Sequence, residues 1–289
     1  MTLQSNITAE ENPAITREEA LAILNTPDEQ LDELIARAEK LRRKYKGDNV
    51  GIHILTNARS GNCSQDYAYC AQSCRSSADI DKYKWVSDEK LYRDNDFVNK
   101  NHLARHCIGL NGMKFTDAEI EELAAKTRKM KETGTHLCCS IGFLTEKQAH
   151  MLREAGLDRI NHNLNSSRAF YPNICSTHTF DQRVANIKML QSLGYEICSG
   201  GIIGMGESKE DVVDMLLELR EINPEAISIN FLLPIEGTPL AHKDTSGLPP
   251  EYGLKFSHLQ GFLCLRQISA VLQGTRSISK ERKKSSYLS

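Results

Sequence analysis

The sequence lacks the segments that mark membrane or exported proteins. No apolar run approaches the ~20 residues that span a bilayer. Residues 1–20 are polar and acidic, without the apolar core of a signal peptide. The net charge of −2 gives no electrostatic reason to expect a nucleic-acid partner. We therefore expect a cytoplasmic protein with no membrane and no nucleic-acid contact.

A disulfide framework is also not expected, although the chain has nine cysteines. Cytoplasmic thiols stay reduced, and a chain of 289 residues can bury one large core without covalent cross-links. Each cysteine is therefore either a small buried apolar residue or a metal ligand. For any single cysteine, packing is the more frequent role.

What the chain does have is a serial alternation of helical and β-rich segments. Four helix starts are marked by a threonine that is followed three residues later by Glu or Gln, at Thr16, Thr26, Thr116 and Thr145. Six segments have the composition of strands: "VGIHILTN", "ARHCIGL", "THLCCSIG", "DRINHNL", "YEICSGGII" and "AISINFLL". This alternation predicts an α/β fold with a parallel sheet, most simply a (β/α) TIM-type barrel.

Cysteines concentrate where such a barrel carries its chemistry, at and after the strands. Cys63 and Cys70 follow the first predicted strand, and Cys107, Cys138 and Cys198 lie within three other strands. Several thiolates in one low-dielectric lumen are costly unless a cation holds them together. The pattern therefore favours a metal site, with packing as the alternative for each cysteine taken alone.

Four segments together resemble the biotin synthase family of radical S-adenosylmethionine (SAM) enzymes: "ARSGNCSQDYAYCAQS", "RINHNLNSSRAFYPNI", "EICSGGIIGMGES" and "INFLLPIEGTPL". They occur in the family's order and at matching separations. The resemblance implies a sulfurtransferase that converts dethiobiotin to biotin with a [4Fe–4S] cluster, a [2Fe–2S] cluster and SAM. It also implies a homodimer and an electron donor such as flavodoxin with its reductase. The cofactors carry the radical chemistry, so no side chain is expected as a general acid or base.

The family binds its [4Fe–4S] cluster through C-x3-C-x2-C, and this chain departs from that motif. Cys63 and Cys70 match the outer ligands, whereas Tyr67 stands at the middle position. A phenolate oxygen is a hard ligand and a poor substitute for a thiolate on a cluster iron. Three hypotheses stay open, in this order: the cluster is lost or weakened, Cys74 replaces the missing ligand, or Tyr67 itself ligates iron.

The resemblance extends to the [2Fe–2S] cluster, which the family binds inside the barrel through three strand cysteines and one arginine. The matching cysteines are Cys107, Cys138 and Cys198. For the arginine, only Arg276 offers a loose counterpart.

Asparagines form a third group of candidates. Asn161, Asn163 and Asn165 alternate along a predicted strand, so we expect all three on one face. Buried amides need hydrogen-bond partners, and such a face suits a polar ligand. By resemblance, the residues that contact SAM are Asn163, Asn165 and Arg183. By the same resemblance, the residues at the dethiobiotin site are Asn161, Asn230 and Arg59.

We divide the chain into N-terminal helices (1–47), a radical SAM barrel (48–255) and a divergent C-terminal segment (256–289). Apolar residues from Phe262 to Leu272 have helical spacing, and the basic run after Gly274 predicts a disordered tail. Relatives continue through further strands, so we expect a barrel that is incomplete at its C-terminal end. Three functions remain open: biotin synthase activity, an inactive paralogue that binds SAM or dethiobiotin, and a non-functional truncated product.

Overall fold

The computed structural model describes residues 15–48, 50–245, 250–263 and 268–271. Within these ranges the chain forms the helices α1 (Arg17–Leu24), α2 (Leu31–Lys46), α3 (Asp88–Lys100), α4 (Asp117–Lys131), α5 (Glu146–Glu154), α6 (Phe180–Ser192), α7 (Lys209–Ile222) and α8 (Pro250–Leu263). It forms the strands β1 (His53–Arg59), β2 (Arg105–Leu110), β3 (Leu137–Ser140), β4 (Arg159–Asn161), β5 (Glu196–Ile203), β6 (Ala226–Phe231) and β7 (Ile268–Val271).

The strands form one parallel sheet in the order β1-β2-β3-β4-β5-β6-β7. Each strand pairs with its sequence neighbours, and β1 and β7 are the two edges of the described sheet. A closed TIM barrel has eight strands, so this sheet is an open barrel of the same type. The predicted fold class, a (β/α) TIM-type barrel, is confirmed, and the seven strands of the described residues are consistent with the predicted incomplete C-terminal end.

The helices cover the outer face of the sheet with their apolar sides. Ile120, Leu152, Ile187 and Leu219, one from each of α4 to α7, are fully buried there. The N-terminal helices α1 and α2 pack against α7 and α8. In the described part of the chain, none of the helices is both long and apolar enough to cross a bilayer.

Local capping explains where most helices begin. The predicted capping boxes are confirmed at Thr16, Thr116 and Thr145. The prediction at Thr26 is wrong, because its hydroxyl donates instead to the Ala22 carbonyl oxygen at 3.2 Å. A 3₁₀ turn at Asp28–Gln30 then leads into α2, whose first turn has no side-chain cap.

The C-terminal segment differs from its prediction. The helix predicted between Phe262 and Leu272 is wrong, because α8 begins at Pro250, crosses the expected boundary at residue 256, and ends at Leu263. Ile268–Val271 instead forms β7 and pairs with β6. Short apolar runs do not separate helix from strand by spacing alone, and β-branched residues favour the strand. The predicted disordered tail lies outside the described residues, and so does Arg276.

Candidate functional site

A cavity of about 460 Å³ opens at the carboxyl ends of β1 to β4, where barrels of this type carry their chemistry. The loop after β1, the loop after β2 and the chain after β4 form its wall. The predicted site residues that it brings together are Cys63, Tyr67, Cys70, Asn161, Asn163, Asn165 and Arg183.

The three asparagines reach this cavity by a different path from the predicted one. β4 ends at Asn161, so Asn163 and Asn165 do not continue a strand. Asn165 adopts a left-handed backbone with φ of 71°, which asparagine tolerates better than most residues. Its backbone also makes a single parallel bridge to Gly201 on β5. Asn161 lines the cavity from the end of β4, and this bend, rather than strand alternation, brings Asn165 to the same cavity.

Two amide oxygens on the inner face of the sheet lack partners. Asn161 Oδ1 and Asn230 Oδ1 are buried and have no hydrogen-bond partner among the described residues. Asn161 lines the cavity, and its Nδ2 lies 3.6 Å from Cys198 Sγ. Asn230 pairs in register with Ile202, four residues after Cys198, so it faces the same side from further along the sheet. An unsatisfied buried acceptor costs about 1–3 kcal/mol, so both oxygens are suited to accept a ligand's N–H.

Arg59 is not among the residues that line the cavity, and its predicted place near the substrate stays a prediction. Its Nη1 pairs with Glu119 Oε1 at 2.8 Å, and its guanidinium lies 5.4 Å from the centre of the Phe115 ring. The pairing of β1 with β2 shifts register between Asn57 and Arg59. A bulge of this kind changes the direction of the following side chain, so that Asn57 lines the cavity and Arg59 does not.

Tyr67 forms the centre of a buried polar group that we call the Tyr67 cluster. Its hydroxyl lies 2.8 Å from Tyr171 Oη and from His178 Nε2, and 2.9 Å from Asn165 Nδ2 and Arg183 Nη1. Asn165 and Arg183 donate to both lone pairs of the phenol oxygen, so its own proton points to Tyr171 or His178. Burial raises the pKa of Tyr67 and keeps the phenol neutral. An oxygen with both lone pairs in use does not ligate iron, which argues against the third hypothesis.

The loop therefore offers two thiols to a cluster. Cys63 is buried and Cys70 is half-buried, and burial raises the pKa of the Cys70 thiol. Cys74 is exposed and does not line the cavity, although its backbone N–H donates to the Gln65 carbonyl oxygen at 3.0 Å. Over the described ranges, no three Cys, His, Asp or Glu side chains are arranged to hold a metal ion. A [4Fe–4S] cluster needs more thiolates than this loop provides, so the group does not fit the loop as folded here.

The three strand cysteines lie on the inner face, but they differ in their neighbours and in the direction of their pKa shifts. Cys107 on β2 is opposite Cys138 on β3. The hydrogen bond with Cys138, supported by one with His53, lowers the pKa of Cys107, whereas the same pairing raises the pKa of Cys138. Cys198 lies two strands beyond Cys138, and burial raises its pKa. The predicted [2Fe–2S] site therefore stays a prediction.

Sequence reasoning missed members of the Tyr67 cluster. His178, to which the sequence assigned no role, is buried, and burial together with Arg183 lowers its pKa to about 4. Tyr171 lies in a family-like motif but carried no assigned role. Asn111 was also missed; it lines the cavity, and its buried Oδ1 has no hydrogen-bond partner in the part of the chain that the structure describes. Its position directly after β2, at the carboxyl end of a strand, was the available signal.

A segment that anchors the loop was missed as well. Ser176 and Thr177 donate backbone and hydroxyl hydrogen bonds to the Asp66 carboxylate at 2.6–3.1 Å. Desolvation opposes ionisation, but these hydrogen bonds outweigh it and hold the pKa of Asp66 well below its usual range. The carboxylate thus fixes the residue that precedes Tyr67.

Comparisons of the sequence with known proteins identify the family. The family model of the Radical SAM superfamily matches residues 58–219. The biotin synthase of Geobacillus kaustophilus is 42% identical over 242 residues, which is 83% of this chain and 72% of the relative. The biotin synthase of Halalkalibacterium halodurans is 38% identical over 255 residues, which is 88% of this chain and 76% of the relative.

Solved structures share the fold at lower identity. A methylornithine synthase superposes with a TM-score of 0.78 at 19% identity, over 88% of this chain and 74% of that protein. A maturase of the FeFe-hydrogenase from Carboxydothermus hydrogenoformans gives 0.77 at 13% identity, over 92% of this chain and 64% of that protein. These likenesses show the fold, and the sequence relatives show the family. The chain is a member of the biotin synthase family within the radical SAM superfamily.

Proposed function

We propose that the chain binds dethiobiotin on the inner face of its barrel and that it does so without radical turnover. The observation that carries this proposal is the pair of buried, unpartnered oxygens, Asn161 Oδ1 and Asn230 Oδ1. The resemblance assigns these two residues to the ureido group, and a cyclic urea presents two N–H donors. The relatives' shared name, biotin synthase, supplies the substrate class.

The iron–sulfur cluster that the family implies would supply reductive cleavage of SAM. The loop presents two thiols, and the Tyr67 hydroxyl is hydrogen-bonded within the Tyr67 cluster, so the loop does not fit that iron–sulfur group. The chain's own residues bind and orient the ligand. Asn161 and Asn230 accept from the ligand, while Ser228 Oγ donates to Asn163 Oδ1 at 3.2 Å and fixes that amide.

A second candidate is the full reaction, the insertion of sulfur into dethiobiotin to form biotin. The Cys107–Cys138 pair favours it, since this is half of the predicted [2Fe–2S] site. Cys74 lies in the same loop as Cys63 and Cys70, and it could replace the missing ligand if the loop backbone rearranged. For this function we further propose a cytoplasmic homodimer that takes electrons from a flavodoxin and its reductase.

Calorimetric titration with dethiobiotin tests the first proposal. We expect the wild-type chain to bind, and we expect Asn161→Ala and Asn230→Ala each to lose about 10- to 100-fold in affinity, because each removes one buried hydrogen bond. Asn101→Ala is the matched control, since Asn101 is an exposed residue that ends α3 far from the inner face. No binding by the wild-type chain, or an equal loss in the control, would refute the proposal.

Reconstitution separates the two candidates. After anaerobic incubation with iron, sulfide, SAM, dethiobiotin and a reductant, we expect no biotin by mass spectrometry. Biotin formation that Cys74→Ala abolishes would replace the first proposal with the second. Biotin formation that survives Cys74→Ala would also replace the first proposal with the second, and it would exclude Cys74 as the replacement ligand.

A further inference from the structure

Arg183 is a buried cation whose partners are all neutral. It is 6% exposed, its Nε donates to the Asn163 carbonyl oxygen, and its Nη1 donates to Tyr67 Oη. Nη1 also lies 3.4 Å from His178 Nε2. Within the described ranges, no carboxylate forms an ion pair with it. Because a guanidinium keeps its charge when buried, this position favours an anion.

Asn165 supplies a second hydrogen-bond donor, and it converges with Arg183 on the same oxygen atom. Asn165 Nδ2 and Arg183 Nη1 each lie 2.9 Å from the phenol oxygen. Two convergent donors, one of them charged, form the arrangement that binds a carboxylate oxygen. In this chain, the oxygen that they contact belongs to Tyr67 and carries no net charge.

The ring of Tyr67 occupies the space in front of these donors. Tyr67 is 6% exposed, and its ring lies edge-on to His178 at 5.4 Å and to Tyr171 at 6.4 Å between centroids. The Arg183 guanidinium lies 6.0 Å from the centre of the same ring. A ligand carboxylate that approached Arg183 from the cavity would therefore overlap the phenol.

We infer that Tyr67 closes a carboxylate site formed by Arg183 and Asn165, and that it excludes amino-acid ligands such as SAM from this part of the cavity. The phenol satisfies both donors with one neutral oxygen, so the charge of Arg183 remains available once the phenol is removed. This inference goes beyond the proposed binding of dethiobiotin, because it concerns different residues and the carboxylate of an amino-acid ligand. Tyr67 is then a specificity-determining residue that leaves a pocket for a neutral ureido ring.

Equilibrium binding of SAM to metal-free protein, in the presence of a chelator, tests the inference. We expect Tyr67→Ala to bind SAM about 10- to 100-fold more tightly than the wild-type chain, the factor that one charge-assisted hydrogen bond provides. Tyr67→Phe is the matched control and should stay at wild-type affinity, because its ring still fills the space. Decarboxylated SAM should show no gain in any variant. Adding Arg183→Gln to Tyr67→Ala should remove the gain.

Equal affinity of the wild-type chain and Tyr67→Ala for SAM would overturn the inference. A gain that persists with decarboxylated SAM or with Arg183→Gln would also overturn it, because the carboxylate contact would then play no part. If Tyr67→Ala does not fold, Tyr67→Cys opens the same space and gives the same comparison. Dethiobiotin titrations of the same proteins separate this inference from the proposed function, since those contacts lie at Asn161 and Asn230.

Discussion

Removal of one oxygen atom from the Tyr67 cluster should measurably destabilise the fold. In Tyr67→Phe, the ring keeps its packing, while Asn165 Nδ2 and Arg183 Nη1 lose their shared acceptor. Tyr171 and His178 keep each other as partners at 2.8 Å, so they contribute little to the loss. The effect therefore comes from two buried donors, one neutral and one charged.

The magnitude follows from those two donors. A buried donor without an acceptor costs about 1–3 kcal/mol, and more when it is charged. Arg183 keeps its hydrogen bond to the Asn163 carbonyl oxygen, which limits its contribution to the loss of unfolding free energy. We expect a loss of about 3 kcal/mol in the free energy of unfolding. For a chain of this size, that loss lowers the melting temperature by about 6–12 °C.

Urea unfolding followed by circular dichroism measures this loss. Tyr69→Phe is the matched control, because Tyr69 lies in the same loop with its ring 5.2 Å from that of Tyr67. Its hydroxyl has no hydrogen-bond partner among the described residues, so we expect a change below about 0.5 kcal/mol. Equal unfolding free energies for the two variants would show that the Tyr67 hydroxyl is not held as the structure places it.

Anaerobic reconstitution should load Tyr67→Cys with more iron and sulfide than the wild-type chain, because the loop then presents three thiols; equal contents in both proteins would contradict the fit argument. Cys107, whose pKa is lowered by its hydrogen bond with Cys138, should be alkylated by iodoacetamide at neutral pH faster than Cys138. That reaction should slow as the pH falls and the thiolate takes up a proton, and a rate that does not change with pH would count against it. Leu55, 65% exposed on the edge strand β1, should promote self-association, so Leu55→Lys should shift sedimentation toward the monomer. An unchanged sedimentation profile would show that the β1 edge does not mediate self-association.

Much of the fold was predictable because its determinants are local. The six strands expected between residues 50 and 233 all appear. Their β-branched composition, and the glycines that end the helices between them, are visible within short stretches of sequence. The capping boxes were equally local, because each involves residues three positions apart. The C-terminal segment was not predictable, since β7 gains its hydrogen bonds from β6, some forty residues earlier in the chain. Pairing with a distant strand decided between helix and strand there.

By itself, the sequence determined the family, the parallel sheet and the departure at Tyr67, because motif order, periodicity and residue identity are properties of the chain. Only the tertiary structure decided what Tyr67 does. Its partners Tyr171, His178 and Arg183 lie 104, 111 and 116 residues further along the chain. The folding of β4 and α6 against the loop brings these groups within hydrogen-bond distance. Hydrogen bonds depend on separation in space, and spacing in the sequence does not reveal that separation.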